Sequence, residues 1–273
     1  MLDLASEKNY AQLTKKMEDA RILCNFQVLP DYWQMDFEAP SLAERAKSGQ
    51  FVMVRVGNSL DPVLRRPMGL NIIDKEHGVL GIIYQIVGRG TKLLTQYKAG
   101  DKLSVSGPWG NGWSVNPNYK KVALVGGGAG AAPLLPLAHE FYEAHCQMDI
   151  FLGATHRKRL LNDEVLGELG QLHIATLDGS LGRKAMVHEI LPPGAKYDMV
   201  YTCGPNPMMA RVSEWAQREG IPCQVSLEER MGCGIGTCMG CVCECQDDSG
   251  AVLMKRICRQ GPVFDSREVI FHV

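Results

Sequence analysis

No run of about 18 apolar residues occurs in the 273-residue chain, so the sequence contains no candidate for a membrane-spanning helix. Its start, MLDLASEKNYAQLTKKMEDA, lacks the basic, apolar, small-residue order of a secretory signal. Charge of one sign is also lacking. Lys and Arg number 29 against 30 Asp and Glu, a formal net charge of -1, which supplies no broad cationic surface for nucleic acid or an anionic membrane. There is no internal repeat and no low-complexity tract, and 45% hydrophobic with 22% charged residues is the composition of a globular protein with two or three small domains. These absences lead us to expect a cytoplasmic protein that works on small molecules or on another protein.

Cysteine, by contrast, is plentiful and unevenly placed. Of ten, six fall between Cys233 and Cys258, while Cys24, Cys146, Cys203 and Cys223 are scattered. Such local crowding favours metal binding in a reducing compartment over a disulfide framework.

Four regions differ in pattern. Residues 1–20 are polar with Leu2, Leu4, Tyr10, Leu13 and Met17 at loosely helical spacing, which predicts a short helical extension. Residues 21–117 carry short apolar runs (ARILCNFQVL, QFVMVRVG, GLNIID, VLGIIYQIVG, DKLSVSGP) punctuated by Gly, Pro and Asp, the pattern of an antiparallel barrel or sandwich. Residues 118–227 alternate buried-strand runs (KKVALVGGG, QMDIFLGA, LHIATL, DMVYTCG, PCQVSLE) with helical stretches, predicting an open parallel α/β sheet. Residues 228–273 are too few to bury much surface, so a metal centre is expected to hold them.

MGCGIGTCMGCVCECQDDSGAVLMKRICRQGPVF spaces Cys233, Cys238, Cys241 and Cys258 as C-x4-C-x2-C followed by a distant fourth Cys. That is the spacing of plant-type [2Fe–2S] ligation, and the interspersed glycines let a tight loop turn backbone N–H groups toward the sulfurs. Zinc is the competing chemistry. Zinc ribbons, however, present two Cys-x2-Cys pairs, and only one exists here. Cys243 and Cys245 alternate with Cys241, as on one face of a strand, and are read as bystanders.

VGGGAGAAP follows a strand and opens a helix, so Gly126, Gly127, Gly128 and Gly130 could let the backbone approach a pyrophosphate. No acidic residue ends the following strand, where a ribose ligand is expected, and Arg157, Lys158 and Arg159 lie just beyond. NAD and NADP both stay open. LRRPMGLNIID places Arg66 before a proline that keeps the chain extended, and an Arg fork there suits a diphosphate. Taken alone, that segment is better read as solvent-facing charge, Arg65 and Arg66, on a barrel edge. GRGT in IYQIVGRGTKLL is ambiguous in the same way.

In order along about residues 20–273, LRRPMGL, IYQIVGRGT, GPWGNGW, VGGGAGAAPLLPLA, YTCGPNPMM, SLEERMGCGIGTCMGCVC and ICRQGPVFDSREV resemble the ferredoxin–NADP reductase superfamily. Within it, the chain is most similar to the electron-transfer subunits of NAD-dependent, heteromeric dihydroorotate dehydrogenases. The resemblance implies an FAD-binding β-barrel, an NAD(H)-binding α/β domain and a C-terminal [2Fe–2S] domain facing an FMN-containing catalytic subunit. By similarity, Arg66, Pro67, Met68 and Gly69 would line the flavin and its diphosphate, Ile83, Tyr84 and Gln85 would contact FAD, and Gly90 with Thr91 would cap its phosphates. Cys203, Gly204 and Pro205 would close the nicotinamide side; for Cys203, a small buried strand-end residue is the equal alternative. Gly69 departs from the Ser or Thr usual there. No protein acid or base is expected. The alternatives are a reductase subunit of another complex (a hydrogenase, a bifurcating transhydrogenase or another flavoenzyme) and a non-enzymatic, zinc-stabilised nucleotide-binding module.

Overall fold

The computed structural model describes residues 17–57 and 61–272. Most of the helical extension expected over 1–20 lies outside them. Its end is corrected: Met17 to Ala20 begin a strand, β1 (Met17–Leu29), whose partner across the ladder fixes them as extended chain.

β1, β2 (Tyr32–Glu38), β3 (Phe51–Val54), β4 (Arg66–Asp74), β5 (Val79–Gln85) and β6 (Lys102–Trp109) close an antiparallel barrel in the order β1-β2-β5-β4-β3-β6. Closure removes sheet edges, and alternate side chains fill the interior: Ile22, Met35, Phe37, Val52, Val54, Leu70, Leu80 and Ile82 are fully buried. Two short helices, α1 (Pro40–Ala43) and α2 (Arg89–Leu94), sit in its connections.

The second layer is a seven-stranded sheet in the order β10-β9-β8-β7-β11-β12-β15. Its strands are β7 (Lys121–Gly127), β8 (Gln147–Ala154), β9 (Gln171–Thr176), β10 (Arg183–Lys184), β11 (Met199–Cys203), β12 (Cys223–Ser226) and β15 (Val263–Asp265). All pairs are parallel except β12 with β15. β7 is central and, after Lys121, apolar and buried because helices cover both faces. On one side lie α3 (Leu134–Glu143) and α4 (Asp163–Leu169), with Leu134, Leu137, Ala138 and Phe141 of α3 buried at helical spacing. On the other lies α5 (Asn206–Glu219), which has Pro in its first turn and ends at Gly220 with φ 69°.

The Cys-rich segment forms a loop, a two-stranded ribbon of β13 (Val242–Gln246) and β14 (Val252–Arg256), and α6 (Ile257–Gln260) before β15. It does not stand apart. Cys241, Cys245 and Cys258 share one buried cluster with Phe51 and Met53 of the barrel and Val200, Val225 and Phe264 of the large sheet. GPWGNGW ties the layers together, with Asn111 donating from its amide to Gly261 O at 2.6 Å and from its side chain to Gln260 O at 2.9 Å.

Candidate functional site: a crevice between three cofactor-sized surfaces

The outward faces of β4 and β5 look toward the α/β layer. Pro67 and Gly69 alternate with the barrel-facing Met68 and Leu70; Ile83 and Gln85 alternate with the barrel-facing Tyr84. Ile83 packs against the α/β cluster, and the atom nearest a Cβ placed on Gly69 is Pro133 Cβ at 3.9 Å, so a side chain would fit there. Two residues expected to contact the flavin, Tyr84 and Met68, turn their side chains into the barrel. Tyr84 turns into the barrel, where its hydroxyl donates to Asn25 Oδ1 at 2.9 Å, and Met68 is buried in the same core. Burial raises the Tyr84 phenol to about 12.

Arg66 opens β4 and reaches across Gly90 at the start of α2. A Cβ on Gly90 would stand 2.3 Å from Arg66 Nε, so the glycine makes the cradle in which the guanidinium lies. Its Nη1 donates to Leu64 O. Thr91 is buried, and its hydroxyl accepts from the amides of Val87 (3.0 Å) and Gly88 (3.2 Å). It braces the Val87–Gly90 turn from within, while Arg66 remains the charged group on its surface. Arg65, by contrast, is spent on structure: its guanidinium donates to Ser104 O at 2.8 Å and to Ser104 Oγ at 2.9 Å. A planar cation over a glycine-lined turn fits the diphosphate of FAD.

At the carboxyl ends of β7, β8 and β11 lies a cleft of about 480 Å³, bounded by Tyr32, Gly127, Gly128, Thr155, Pro205 and Met208 among others. This is where open α/β sheets take their ligands. The four expected glycines divide. Gly127 and Gly128 line the cleft, whereas Gly126 and Gly130 are buried packing positions; a Cβ on Gly130 would be 2.1 Å from Cys203 O. His188 also lines the cleft and has a buried Nδ1 with no partner in the protein, an unsatisfied polar atom of the kind a bound nucleotide can pair.

Cys203 ends β11, 1% exposed, and Gly204 and Pro205 lead from it into α5. Burial, then the nearby Glu228 charge, push the Cys203 thiol strongly upward, so it stays protonated. Glu228 is a site residue that the motif reading passed over. It is exposed overall, and partial desolvation by the neighbouring protein shifts its carboxyl upward. The available signal was a carboxylate two residues after β12, the strand that pairs with the Cys203 strand.

The four expected ligands converge in two contacting pairs. Cys238 Sγ accepts from the Cys233 amide at 3.5 Å, and Cys233 Sγ accepts from the amides of Thr237 (3.3 Å) and Cys238 (3.4 Å). Cys241 Sγ accepts from the Cys258 amide at 3.4 Å. Two pairs of thiols suit two irons, each taking two protein sulfurs. Among the described residues no group of three or more His, Cys, Asp or Glu side chains is gathered about a single point. Burial and the Cys241 and Cys233 sulfurs crowd the Cys258 thiol upward. For Cys233 burial acts upward too, but the amides of Cys238, Ile235 and Thr237 outweigh it and favour the thiolate. Cys245 is fully buried, and Cys243 Sγ lies 3.8 Å from Cys245 Sγ and 3.5 Å from Lys255 O.

β3 joins the flavin wall to the Cys loop. Its register sets Phe51 opposite Gly69 and Met53 opposite Pro67. Phe51 and Met53 share the buried cluster of Cys241 and Cys258, and Gly234 lies against Met53. A single strand, β3, therefore stands between the two surfaces.

Comparison with known proteins agrees with this arrangement. The iron–sulfur cluster binding domain of dihydroorotate dehydrogenase B matches residues 228–270. The dihydroorotate dehydrogenase B (NAD(+)) electron transfer subunit of Desulforamulus reducens is 40% identical over 260 residues, covering 94% of this chain and 99% of that one. The corresponding subunit of Caldanaerobacter subterraneus is 37% identical over 92% of this chain and 98% of its own. Among solved structures, an NADH-dependent reduced ferredoxin–NADP oxidoreductase described for flavin-based electron bifurcation superposes with TM-score 0.83 at 31% identity, over 93% of this chain and 90% of its own. Similarity of this extent, running end to end with such relatives, places this chain in the family of dihydroorotate dehydrogenase B (NAD(+)) electron transfer subunits.

Proposed function

We propose that this chain carries electrons between NAD(H) and a partner redox subunit through FAD and a [2Fe–2S] cluster, the partner being an FMN-containing subunit that oxidises dihydroorotate to orotate in pyrimidine biosynthesis. The observation that carries the reading is the adjacency of three surfaces of different chemistry: the 480 Å³ cleft, the Arg66 cradle and the paired thiols. Bound FAD supplies the interchange between the two-electron chemistry of a nicotinamide and the one-electron chemistry of an iron–sulfur cluster.

The chain's own part is placement and polarity. Arg66 holds the diphosphate and so fixes the flavin along β4. Gly127 and Gly128 admit the nucleotide backbone, and Gly130 lets the turn after β7 close on Cys203, which with Gly204 and Pro205 sets the depth of the nicotinamide. Cys203, held protonated by burial, gives this end of the crevice an uncharged thiol. Cys233, Cys238, Cys241 and Cys258 hold the cluster. Cys238 is exposed, flanked by the exposed Ile235 and Met239, so the loop offers an apolar surface beside a ligand, where a partner subunit can dock and exclude water.

Among the described residues no helix is long and apolar enough to cross a membrane, and the crowded free thiols suit the reducing cytoplasm. A second reading, with another redox complex as partner, is favoured by the likeness to the bifurcating oxidoreductase. Two measurements test the proposal. The purified chain should show flavin bands together with cluster absorption reaching past them, and it should reduce dyes with NADH but not oxidise dihydroorotate. Adding the catalytic subunit should restore dihydroorotate-dependent reduction of NAD⁺. A colourless protein would overturn the cofactor reading, and a different co-purifying redox subunit would overturn the pyrimidine assignment.

A further inference from the structure

We propose that Arg159, held from the barrel by Asp31, is the cation that meets the phosphates of NAD(H). The inference rests on the nucleotide reading of the cleft given above and names the group that takes the charged middle of the dinucleotide. Two phosphates carry negative charge into the cleft, and an anion leaves water at large cost unless other donors replace it. Among the described residues that line the cleft there is no Asp or Glu, and Arg159 is the single Arg or Lys. Arg157 and Lys158, its exposed neighbours in the same 3-10 turn, stay outside the lining.

Local structure mounts Arg159 firmly. The Arg157 amide donates to Ser180 Oγ at 2.8 Å and the Arg159 amide to His156 O at 2.9 Å, while Leu160 and Leu161 behind the turn are buried. The guanidinium then crosses to the barrel, where its Nη2 donates to Asp31 Oδ2 at 2.6 Å. Asp31 is itself fixed in the turn between β1 and β2, because its carbonyl accepts from the Ile86 amide at 2.8 Å. That contact is made by one nitrogen of a three-nitrogen fork, and a planar fork held on one side meets a phosphate with little further ordering. The Asp31 carboxylate lies outside the lining and is half-exposed, so solvent screens its charge from the cleft.

Tyr32 follows Asp31 and is the one described lining residue that the barrel contributes. It stands opposite Gln85 across the β2–β5 ladder, so its side chain shares the outward face of Gln85 and Ile83. There it is buried within the α/β cluster. Burial raises its phenol, and Arg159 beside it acts in the opposite direction. The ring therefore bridges the flavin wall and the cleft and keeps water from one side of the guanidinium, where a charge-assisted contact is stronger than in open solvent.

Calorimetry with ADP-ribose and steady-state dye reduction with NADH, both on the full chain with its cofactors, test this. Arg159→Gln should weaken ADP-ribose by about tenfold, a usual cost of losing a charged hydrogen bond. It should raise the KM for NADH by a similar factor with kcat within about twofold, the pattern of lost ground-state binding. The fall of ADP-ribose affinity with ionic strength should also become shallower. Arg159→Lys, which keeps the charge, should restore part of the affinity and the salt dependence. Binding by Arg159→Gln within about twofold of the parent would overturn the inference and leave the nucleotide site standing. So would a lower kcat at unchanged KM, the mark of a mere tie between the two layers. Weaker binding with the parent's salt dependence would assign Arg159 to the ribose hydroxyls and overturn the phosphate contact. Absence of ADP-ribose binding by the parent protein would overturn the nucleotide reading along with it.

Discussion

Gly90→Ala isolates what Arg66 does. A Cβ at residue 90 would lie 2.3 Å from Arg66 Nε and 2.7 Å from its Cζ and Nη2, whereas ordinary van der Waals contact begins near 3.4 Å. The guanidinium must therefore retreat by about 1 Å, enough to break hydrogen bonds of normal length. The fold should tolerate the change. Gly90 has no positive φ, it sits inside α2, and Ala is favoured over Gly in helices by roughly 1 kcal/mol. What is lost is a charge-assisted contact to the flavin diphosphate, worth about 1.5–3 kcal/mol, which corresponds to roughly ten- to a hundredfold in the FAD dissociation constant. Titrating FAD into apoprotein and following its fluorescence measures this directly, with Arg66→Ala as the reference and thermal unfolding of the apoprotein as the control for folding. The reasoning is refuted if Gly90→Ala holds FAD within about twofold of the parent while Arg66→Ala loses it. If Arg66→Ala also keeps FAD, Arg66 is not a flavin ligand at all.

Cys258→Ser should bleach the cluster and stop electron delivery to the partner while NADH still reduces the flavin, whereas Cys243→Ser should leave cluster absorption intact; equal loss in both would show that the wrong four sulfurs were assigned. Gly69→Ser should fold and bind FAD, since the nearest atom to its new Cβ is 3.9 Å away, but place a hydroxyl on the flavin wall and so shift the flavin midpoint potential in spectroelectrochemistry; an unchanged potential would remove Gly69 from that wall. Asp149 is buried at the other end of the sheet, and although burial pushes its carboxyl up, hydrogen bonds from Lys121 (2.8 Å) and Tyr197 (2.5 Å) prevail and hold it below its usual range. A depressed carboxyl stabilises the fold above its unfolded pKa and loses that contribution as pH falls through the folded value. Asp149→Ala should therefore cost about 1–3 kcal/mol near neutral pH and flatten the acid limb of the unfolding profile, leaving NADH oxidation unchanged; a variant with the parent's acid limb would contradict this.

The local features were legible because they are local. C-x4-C-x2-C with glycines between dictates a loop that gathers sulfurs, and that loop forms with amides turned to Cys233 and Cys238. The run KKVALVGGG dictates a buried parallel strand ending in a tight turn, whereas Met17, at helical spacing in the sequence, is a strand residue because β6 offers it a partner. Side-chain direction was harder. Tyr84 sits on a strand whose outward face looks toward the α/β layer, yet strand alternation turns its ring into the barrel, and only the register of β5 against β2 and β4 decides which alternate residues face which way.

What the sequence by itself determined, then, is the inventory: a β unit, an α/β unit, a thiol loop, and the backbone turns that Gly and Pro permit, since these follow from periodicity and steric limits within a few residues. What only the tertiary structure decided is adjacency. Arg66 lies over Gly90, Gly130 against Cys203, Gly234 against Met53, and Val263–Asp265 lines up on β12 beyond the cysteines. Each of these pairs residues distant along the chain, held together by burial of a shared core that neither segment can form alone, and that packing turns three separate motifs into one path for electrons.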